Sequence, residues 1–250
     1  YGMMGLTGIS LGIRDGPLEA IEKGLALAEK RSNAFLQAVM LNIKGLSRIY
    51  LDMDISGAME YMEQAVAIEP RLSTQSISGT FALIKIQTLA RNWERARELV
   101  DMAIENLSDS IYLDNKRQLN MYRTERGHIE RQAGNLDAAL NIYSRMIPSY
   151  RELSMEPAVA NLLECFAMIA VQRGRLSRAG RLFGAAEALR ERIQADMTAY
   201  ERVEYEAVVG QLRSRMPPEE LGEAWQVGRR LSIDQAIELA RAYADLPADP

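Results

Sequence analysis

The sequence is poor in the residue types that most often carry metal or redox chemistry. Its 250 residues include one cysteine, one histidine, two tryptophans and four phenylalanines. Because Cys165 has no second cysteine to pair with, we expect a reducing, cytoplasmic location. The longest apolar run, residues 165–171, is far shorter than the roughly 20 residues that span a bilayer, so no membrane contact is expected. The net charge of −4 lacks the basic excess of nucleic-acid binders, which predicts no direct nucleic-acid contact.

What is present is a helix-forming composition. Alanine, leucine, methionine, glutamate and arginine are abundant, and residues that favour strands are few. With 48% hydrophobic and 26% charged residues, the chain can form a large core, and we predict an all-α protein. It begins at Tyr1, inside a pattern typical of a helical hairpin, so we interpret it as a piece of a longer polypeptide.

A helical hairpin is clearest in residues 158–191, and its pattern recurs along the chain. Ala167 and Ala179, twelve residues apart, are small enough to let two helices approach closely. Similar small residues precede most earlier copies, although Ile84 is bulky at this position and Gly45 lies thirteen residues before its marker because one residue is inserted in that turn. The marker alanines, separated by 38, 38, 43 and 40 residues, are Ala20, Ala58, Ala96, Ala139 and Ala179.

These markers predict a tetratricopeptide-like domain over residues 1–192, followed by capping helices over residues 193–250. A single hairpin cannot bury its apolar face, so recurrence predicts a right-handed α-α superhelix, or solenoid. Gly180 and Gly184 predict an especially close helix approach in the fifth hairpin, in a soluble rather than a membrane setting. The five predicted hairpins occupy approximately residues 1–32, 33–70, 77–107, 117–151 and 158–191.

The predicted capping region begins with a charged helix over residues 196–215, with Val203, Ala207 and Leu212 near one side. The Pro217-Pro218 pair ends it and starts a second helix that extends to about Arg229. Ser232 is the expected N-cap of a last helix that continues to about Ala244. Such helices would cover the open end of a solenoid.

Three segments of this region resemble one family in order. They are residues 174–190 (GRLSRAGRLFGAAEALR), 200–205 (YERVEY) and 223–237 (EAWQVGRRLSIDQAI). Together they are similar to the C-terminal part of MalT/LuxR-type and adenylate-cyclase-like bacterial regulators, which join a signalling ATPase to a tetratricopeptide array. The resemblance implies a sensory arm that binds a ligand or partner and controls the other modules. The sequence contains no G-x-x-x-x-G-K-[ST] loop, so that ATPase would lie outside this chain.

No group of residues predicts catalysis, a metal site or a cofactor, and we expect a non-enzymatic protein. His128, the only histidine, is interpreted as structural or exposed, with ligand contact as the alternative. Cys165 lies within an apolar helix, where a buried and unreactive thiol is expected. Asp52 and Asp54 resemble the start of a calcium loop, but the glycine and closing glutamate of such a loop are missing, which favours helix capping.

The candidate binding residues lie on the first helix of each hairpin, which forms the concave wall in arrays of this type. Their mixture of apolar and polar side chains suits an extended peptide or a helix in a groove. Three arginines beside this wall could bind an acidic group, the alternative being that they pair with neighbouring carboxylates. The wall residues are Asn42, Leu46, Ile49, Phe81, Lys85, Thr88, Met121, Thr124, His128, Arg131, Asn161, Glu164 and Met168, and the arginines are Arg117, Arg123 and Arg126.

The function predicted from these features is a protein-protein interaction or sensory domain of a multi-domain bacterial transcriptional or signalling regulator. Its partner would be a peptide, a protein or an effector, including the ATPase and DNA-binding modules of the same full-length protein. The alternative is a structural oligomerisation scaffold that packs through its outer face and terminal helices.

Overall fold

The computed structural model describes residues 8–9, 13–68, 77–108 and 113–242, and all regular structure in these ranges is helical. The predicted all-α class is therefore confirmed for the described part of the chain. A π-helical turn, Arg48–Asp52, follows the second helix. The α-helices are α1 (Pro17–Lys30), α2 (Ala34–Ser47), α3 (Ile55–Ile68), α4 (Ile77–Leu89), α5 (Trp93–Ser108), α6 (Leu113–Gln132), α7 (Leu136–Glu152), α8 (Glu156–Gln172), α9 (Leu176–Ile193), α10 (Ala199–Arg215), α11 (Pro218–Arg229) and α12 (Ile233–Arg241).

Consecutive helices pack as hairpins: α2 with α3, α4 with α5, α6 with α7, and α8 with α9. Each marker alanine is buried and is the fourth residue of its second helix, counted from Pro17, Ile55, Trp93, Leu136 and Leu176. The same side chain thus enters the same place in every copy. Most of the leading helix predicted for the first hairpin lies outside the described residues.

Small residues stand where the paired helices touch. A Cβ added at Gly127 would lie 2.5 Å from the Tyr143 ring, and one at Gly45 would lie 3.0 Å from the Ala58 carbonyl oxygen. A Cβ atom in a real structure essentially never lies within 3.0 Å of a neighbouring heavy atom. The close approach of α6 and α7 therefore requires glycine at position 127.

The turns within the hairpins share one backbone geometry. Gly134 adopts a left-handed conformation with φ of 89°, the Gly134 N–H donates to the Arg131 carbonyl at 3.1 Å, and the Asn135 N–H donates to the Glu130 carbonyl at 2.8 Å. This pair of bonds satisfies the last carbonyls of a helix. Gly174 repeats the arrangement at φ of 74°, and Arg91 adopts it at φ of 60° without being a glycine.

The second hairpin absorbs its additional residue in the π turn. The Asp54 N–H donates to the Arg48 carbonyl at 3.0 Å, and Met53 is left-handed with φ of 53°. A π turn accommodates one more residue per turn than an α-helix without breaking the helix direction. The Asp54 carboxylate then accepts from the Gly57 N–H at 2.9 Å, which confirms the capping interpretation for this residue.

Two compact units make up the chain. Unit 1 comprises Tyr1–Asp109 with Asp196–Arg202, and unit 2 comprises Ser110–Ala195 with Val203–Pro250, so the residues of α10 are divided between them. In unit 1, Ala38 and Leu41 of α2 pack with Ala65 of α3. In unit 2, one continuous core joins α7, α8 and α9 to buried residues of α10, α11 and α12.

In unit 2, α11 packs directly on α9. A Cβ at Gly228 would lie 1.9 Å from the Arg181 carbonyl oxygen, and one at Gly184 would lie 2.2 Å from the Trp225 carbonyl oxygen. Gly184 does lie at a close helix approach, but the approach is to α11 and not within the fifth hairpin, where the sequence had predicted it. The predicted N-cap is also confirmed: Ser232 accepts from the Gln235 N–H at 3.1 Å and forms a capping box with it.

The charged helix α10 exposes two of its three predicted apolar contact residues. Val203 is 53% exposed and Ala207 is exposed, whereas Val208, Val209 and Leu212 are buried. The prediction of the buried face was wrong by about one residue, since Val208 is buried in place of Ala207. A polar helix carries little periodic hydrophobic signal from which this face could be read.

Candidate binding surface on the first helices of the hairpins

Most of the predicted wall residues are buried. Met121, His128 and Asn161 are half-buried, and the other side chains are covered by the chain itself. A partner would therefore reach those residues only after the covering side chains move, and their assignment as binding residues stays a prediction. The buried members are Asn42, Leu46, Ile49, Phe81, Lys85, Thr88, Thr124, Arg131, Glu164 and Met168.

Three of the wall residues occupy one equivalent repeat position. Lys85, His128 and Met168 each lie eleven residues before their marker alanine, and Arg131 lies eight residues before Ala139. These spacings place them along one face of a first helix, about three to four residues apart. Each unit thus has one cation on a first helix, Lys85 in unit 1 and Arg131 in unit 2, at different repeat positions.

Arg131 is the centre of a polar cluster inside unit 2, which we call the Arg131 cluster (Arg131, Glu204, Tyr143, His128 and Cys165). Its guanidinium forms a two-pronged ion pair with the Glu204 carboxylate, with Nη2 to Oε2 at 2.7 Å. Its Nε lies 3.4 Å from the Tyr143 hydroxyl. That hydroxyl is 2.9 Å from His128 Nδ1, which lies 3.6 Å from Cys165 Sγ.

Burial sets the charge state of this cluster. It raises the pKa of the Cys165 thiol to about 12 and raises the pKa of the Tyr143 hydroxyl well above its ordinary value, so both groups are neutral at pH 7. Burial opposes the charged form of Arg131, but Tyr143 and Glu204 outweigh it and leave the Arg131 pKa raised. The buried Arg131 cation is thus compensated by a carboxylate from α10.

Glu164, a predicted wall residue, is committed to a second buried ion pair. Arg190 Nε donates to Glu164 Oε1 at 2.6 Å, and Arg190 Nη2 donates to Oε2 at 2.9 Å. Both side chains are almost fully buried. Thr124 is similarly engaged, with its hydroxyl 2.7 Å from that of Tyr150. These residues join α6 to α7 and α8 to α9.

Lys85 lies among three aromatic rings of unit 1. Its Nζ is 4.3 Å from the ring centre of Tyr200, 5.6 Å from that of Phe81 and 5.8 Å from that of Tyr50. Rings within about 6 Å attract an ammonium group through their negative faces. Tyr200 belongs to the residues of α10 that are assigned to unit 1.

The predicted arginine set separates in the structure. Arg126 forms an ion pair with Glu130 on the next turn of α6, which is the alternative that the sequence left open. Arg117 is exposed and Arg123 is half-buried, and their proposed contact with an acidic group stays a prediction.

Sequence reasoning missed the residues that cover the wall, namely Tyr200, Glu204 and the hydroxyl of Tyr143. Glu204 lies 73 residues from Arg131, outside every repeat, so hairpin spacing carries no signal for their contact. The only available indication was the alternation of carboxylates and tyrosines in the YERVEY segment.

Three further findings bear on function. Among the described residues, no group of three or more His, Cys, Asp or Glu side chains is arranged to hold a metal ion. In the same part of the chain, every helix is too short or too polar to cross a membrane. Comparisons of the chain with protein-family models, with curated proteins and with solved structures found no match.

Proposed function

We propose that this chain is a non-catalytic interaction and sensory module of a multi-domain bacterial transcriptional or signalling regulator. In this proposal the hairpins form a right-handed tetratricopeptide-like superhelix in the cytoplasm, and the first helices bind a peptide, a protein or an effector. The regular position of the marker alanines supports the repeat, and the resemblance of residues 174–190 to the regulators supports the family.

The observation that carries the proposal is the buried guanidinium of Arg131. A buried ion pair generally contributes less stability than apolar residues of the same volume, because both charges lose their hydration. Arg131 is 3% exposed and is compensated by Glu204, a residue outside the hairpins. A cation kept at such a place, on the face that arrays of this type use for binding, suits recognition better than folding.

The test begins with the complete reading frame that encodes these residues. We expect it to encode an ATPase and a DNA-binding module, and we expect the 250-residue chain to bind one of them in isothermal titration calorimetry. Met121→Asp, on the half-buried wall, should weaken binding more than tenfold. The matched variant Met102→Asp, at a side chain that is 51% exposed on a second helix, should change it less than twofold. Equal effects, or a frame without these modules, would contradict the proposal.

A structural oligomerisation scaffold is the second candidate, and exposed apolar side chains favour it. Leu27, Phe35 and Leu36, on either side of the turn between α1 and α2, are 41%, 55% and 45% exposed. Large apolar side chains that are exposed close together often mark contacts between proteins, and these three lie within ten residues of one another in the sequence. Multi-angle light scattering decides: a dimer that Phe35→Asp dissociates supports the scaffold, and a monomer at about 100 µM removes it.

A further inference from the structure

Helix α10 is held on unit 2 by a few buried apolar side chains and by the polar ends of longer ones. Of its residues in unit 2, Val208, Val209 and Leu212 are buried in the common core. Gly210 on the same helix has no atom within 4 Å of the place where its Cβ would be, so this side of the helix faces open space. Three of the 17 residues of α10 are buried in this way, and most helical stability in proteins comes from a packed apolar face.

The polar contacts of α10 in unit 2 are directional. Glu204 pairs with Arg131 and accepts a weaker bond from Gln132 Nε2 at 3.4 Å. Arg215 Nη1 donates to the Val171 carbonyl at 2.8 Å. The Tyr205 ring stands perpendicular to that of Phe183, with centres 5.3 Å apart.

We call the surface beneath it the docking face of unit 2, defined by Arg131, Gln132, Phe183 and the Val171 carbonyl. Its strongest requirement is a carboxylate, because Arg131 would otherwise be a buried cation without compensation. Bidentate arginine–carboxylate pairs also impose a fixed geometry. Apolar side chains four and eight residues after the carboxylate then enter the core, as Val208 and Leu212 do after Glu204.

The neighbouring helix α11 approaches α9 at backbone distance. Its backbone at Gly228 lies so close to Arg181 that a single added Cβ would collide with the carbonyl oxygen at 1.9 Å. The Trp225 ring also stacks on Phe183 with centres 5.9 Å apart. At Gly210, the one glycine of α10, an added Cβ would meet no atom within 4 Å, so α10 makes no such close backbone approach at this position.

We propose that the docking face of unit 2 is a binding site for an acidic amphipathic helix of a partner protein, and that α10 occupies this site in cis. The partner helix carries a glutamate followed at the fourth and eighth positions by valine- or leucine-like residues, and it displaces α10 when it binds. This inference deepens the proposed function and rests on the chain being an interaction module. Helices that present an apolar face to a groove are a common mode of peptide recognition.

The test uses a fluorescein-labelled peptide with the sequence of residues 199–215 as the partner probe. A tethered segment has an effective concentration on the order of millimolar, so micromolar peptide should bind the wild-type chain weakly. Glu204→Gln weakens the cis contact and leaves Arg131 in place. We expect the peptide to bind this variant at least tenfold more tightly than the wild type in fluorescence anisotropy, and a peptide with glutamine at the Glu204 position to lose that gain.

Equal binding to both chains, or equal binding of the two peptides, would overturn the docking face. Should the circular dichroism of Glu204→Gln show loss of folding, hydrogen exchange on the wild type takes its place. Amides of residues 205–214 should then exchange at least tenfold faster than those of residues 182–189, and equal protection would refute the proposal. If the peptide binds only when it carries the glutamate, but the chain binds neither the ATPase nor the DNA-binding module, the docking face is supported and the proposed function is contradicted.

Discussion

At the residue scale, the environment of a side chain determines its chemistry more than its type does. Cys165 and His128 are the residues in which a reactive site would first be sought, and they lie 3.6 Å apart, Sγ to Nδ1. Reactive cysteines have lowered pKa values and access to solvent. Cys165 is 2% exposed and its pKa is raised to about 12, so this thiol belongs to the core although His128 is half-buried.

The unreactive state of Cys165 is directly testable. We expect Ellman's reagent at pH 8 to modify the native thiol at least 100-fold more slowly than the thiol of the urea-unfolded chain, because the native thiolate is both rare and covered. Cys165→Ser supplies the baseline without a thiol. Reaction of the native protein at the unfolded rate would show that the site is open.

The same pKa shift has a defined effect on stability. The native pKa lies above the ordinary value of 9.0, so folding favours the protonated thiol. The contribution of the protonated Cys165 thiol to the free energy of unfolding is complete below pH 9 and is lost as the pH rises from about 9 towards 12. Cys165→Ser should therefore flatten the fall in stability over this interval.

At the scale of the element, the hairpin turns use one backbone conformation with different residues. Gly134, Gly174 and Arg91 occupy the same left-handed position, five residues before their markers. Glycine adopts this conformation without steric cost, whereas a residue with a Cβ is strained by about 1 kcal/mol. Arg91 is exposed, so packing of its side chain does not explain why this turn has an arginine in place of glycine.

Exchanging the residues between turns should have opposite effects. Arg91→Gly should raise the free energy of unfolding by about 0.5–1 kcal/mol, and Gly134→Ala should lower it by about 1 kcal/mol. A Cβ at Gly134 would meet nothing within 4 Å, so this loss would report backbone strain alone. Urea denaturation of both variants measures the difference, and effects of the same sign would contradict the shared turn.

At the scale of the whole molecule, the repeat means that one packing position is used again in each hairpin. Ala58, Ala96, Ala139 and Ala179 are fully buried, while Ala138, directly before one of them, is exposed. The unit of construction is therefore the contact between two helices, copied along the chain.

Enlarging the repeated position should be costly wherever it is tried. Ala139→Leu should destabilise the protein by about 1–3 kcal/mol, because a well-packed contact cannot expand without strain. Ala138→Leu should change stability by less than about 0.5 kcal/mol, as measured by thermal or urea unfolding. Ala96→Leu should lose a similar amount to Ala139→Leu, and tolerance of both changes would refute the common packing unit.

The sequence by itself determined the helices, their turns and the spacing of the buried alanines. These features depend on rules that act within a few residues: glycine or a polar cap at helix ends, and small residues about twelve apart across a turn. Ser232 and Asp54 were predictable as caps for this reason. The spacing of thirteen residues between Gly45 and Ala58 also indicated the inserted residue in the turn of the second hairpin, but not the π turn that accommodates it.

Only the tertiary structure decided which segments cover the predicted wall. Glu204 pairs with Arg131 across 73 residues, Arg190 with Glu164 across 26, and Gly184 meets α11 at Trp225. The spacing of charges in a sequence does not specify such partners, because many carboxylates could satisfy one guanidinium. The choice depends on which helix faces pack together, and packing is a property of the whole core rather than of any local pattern.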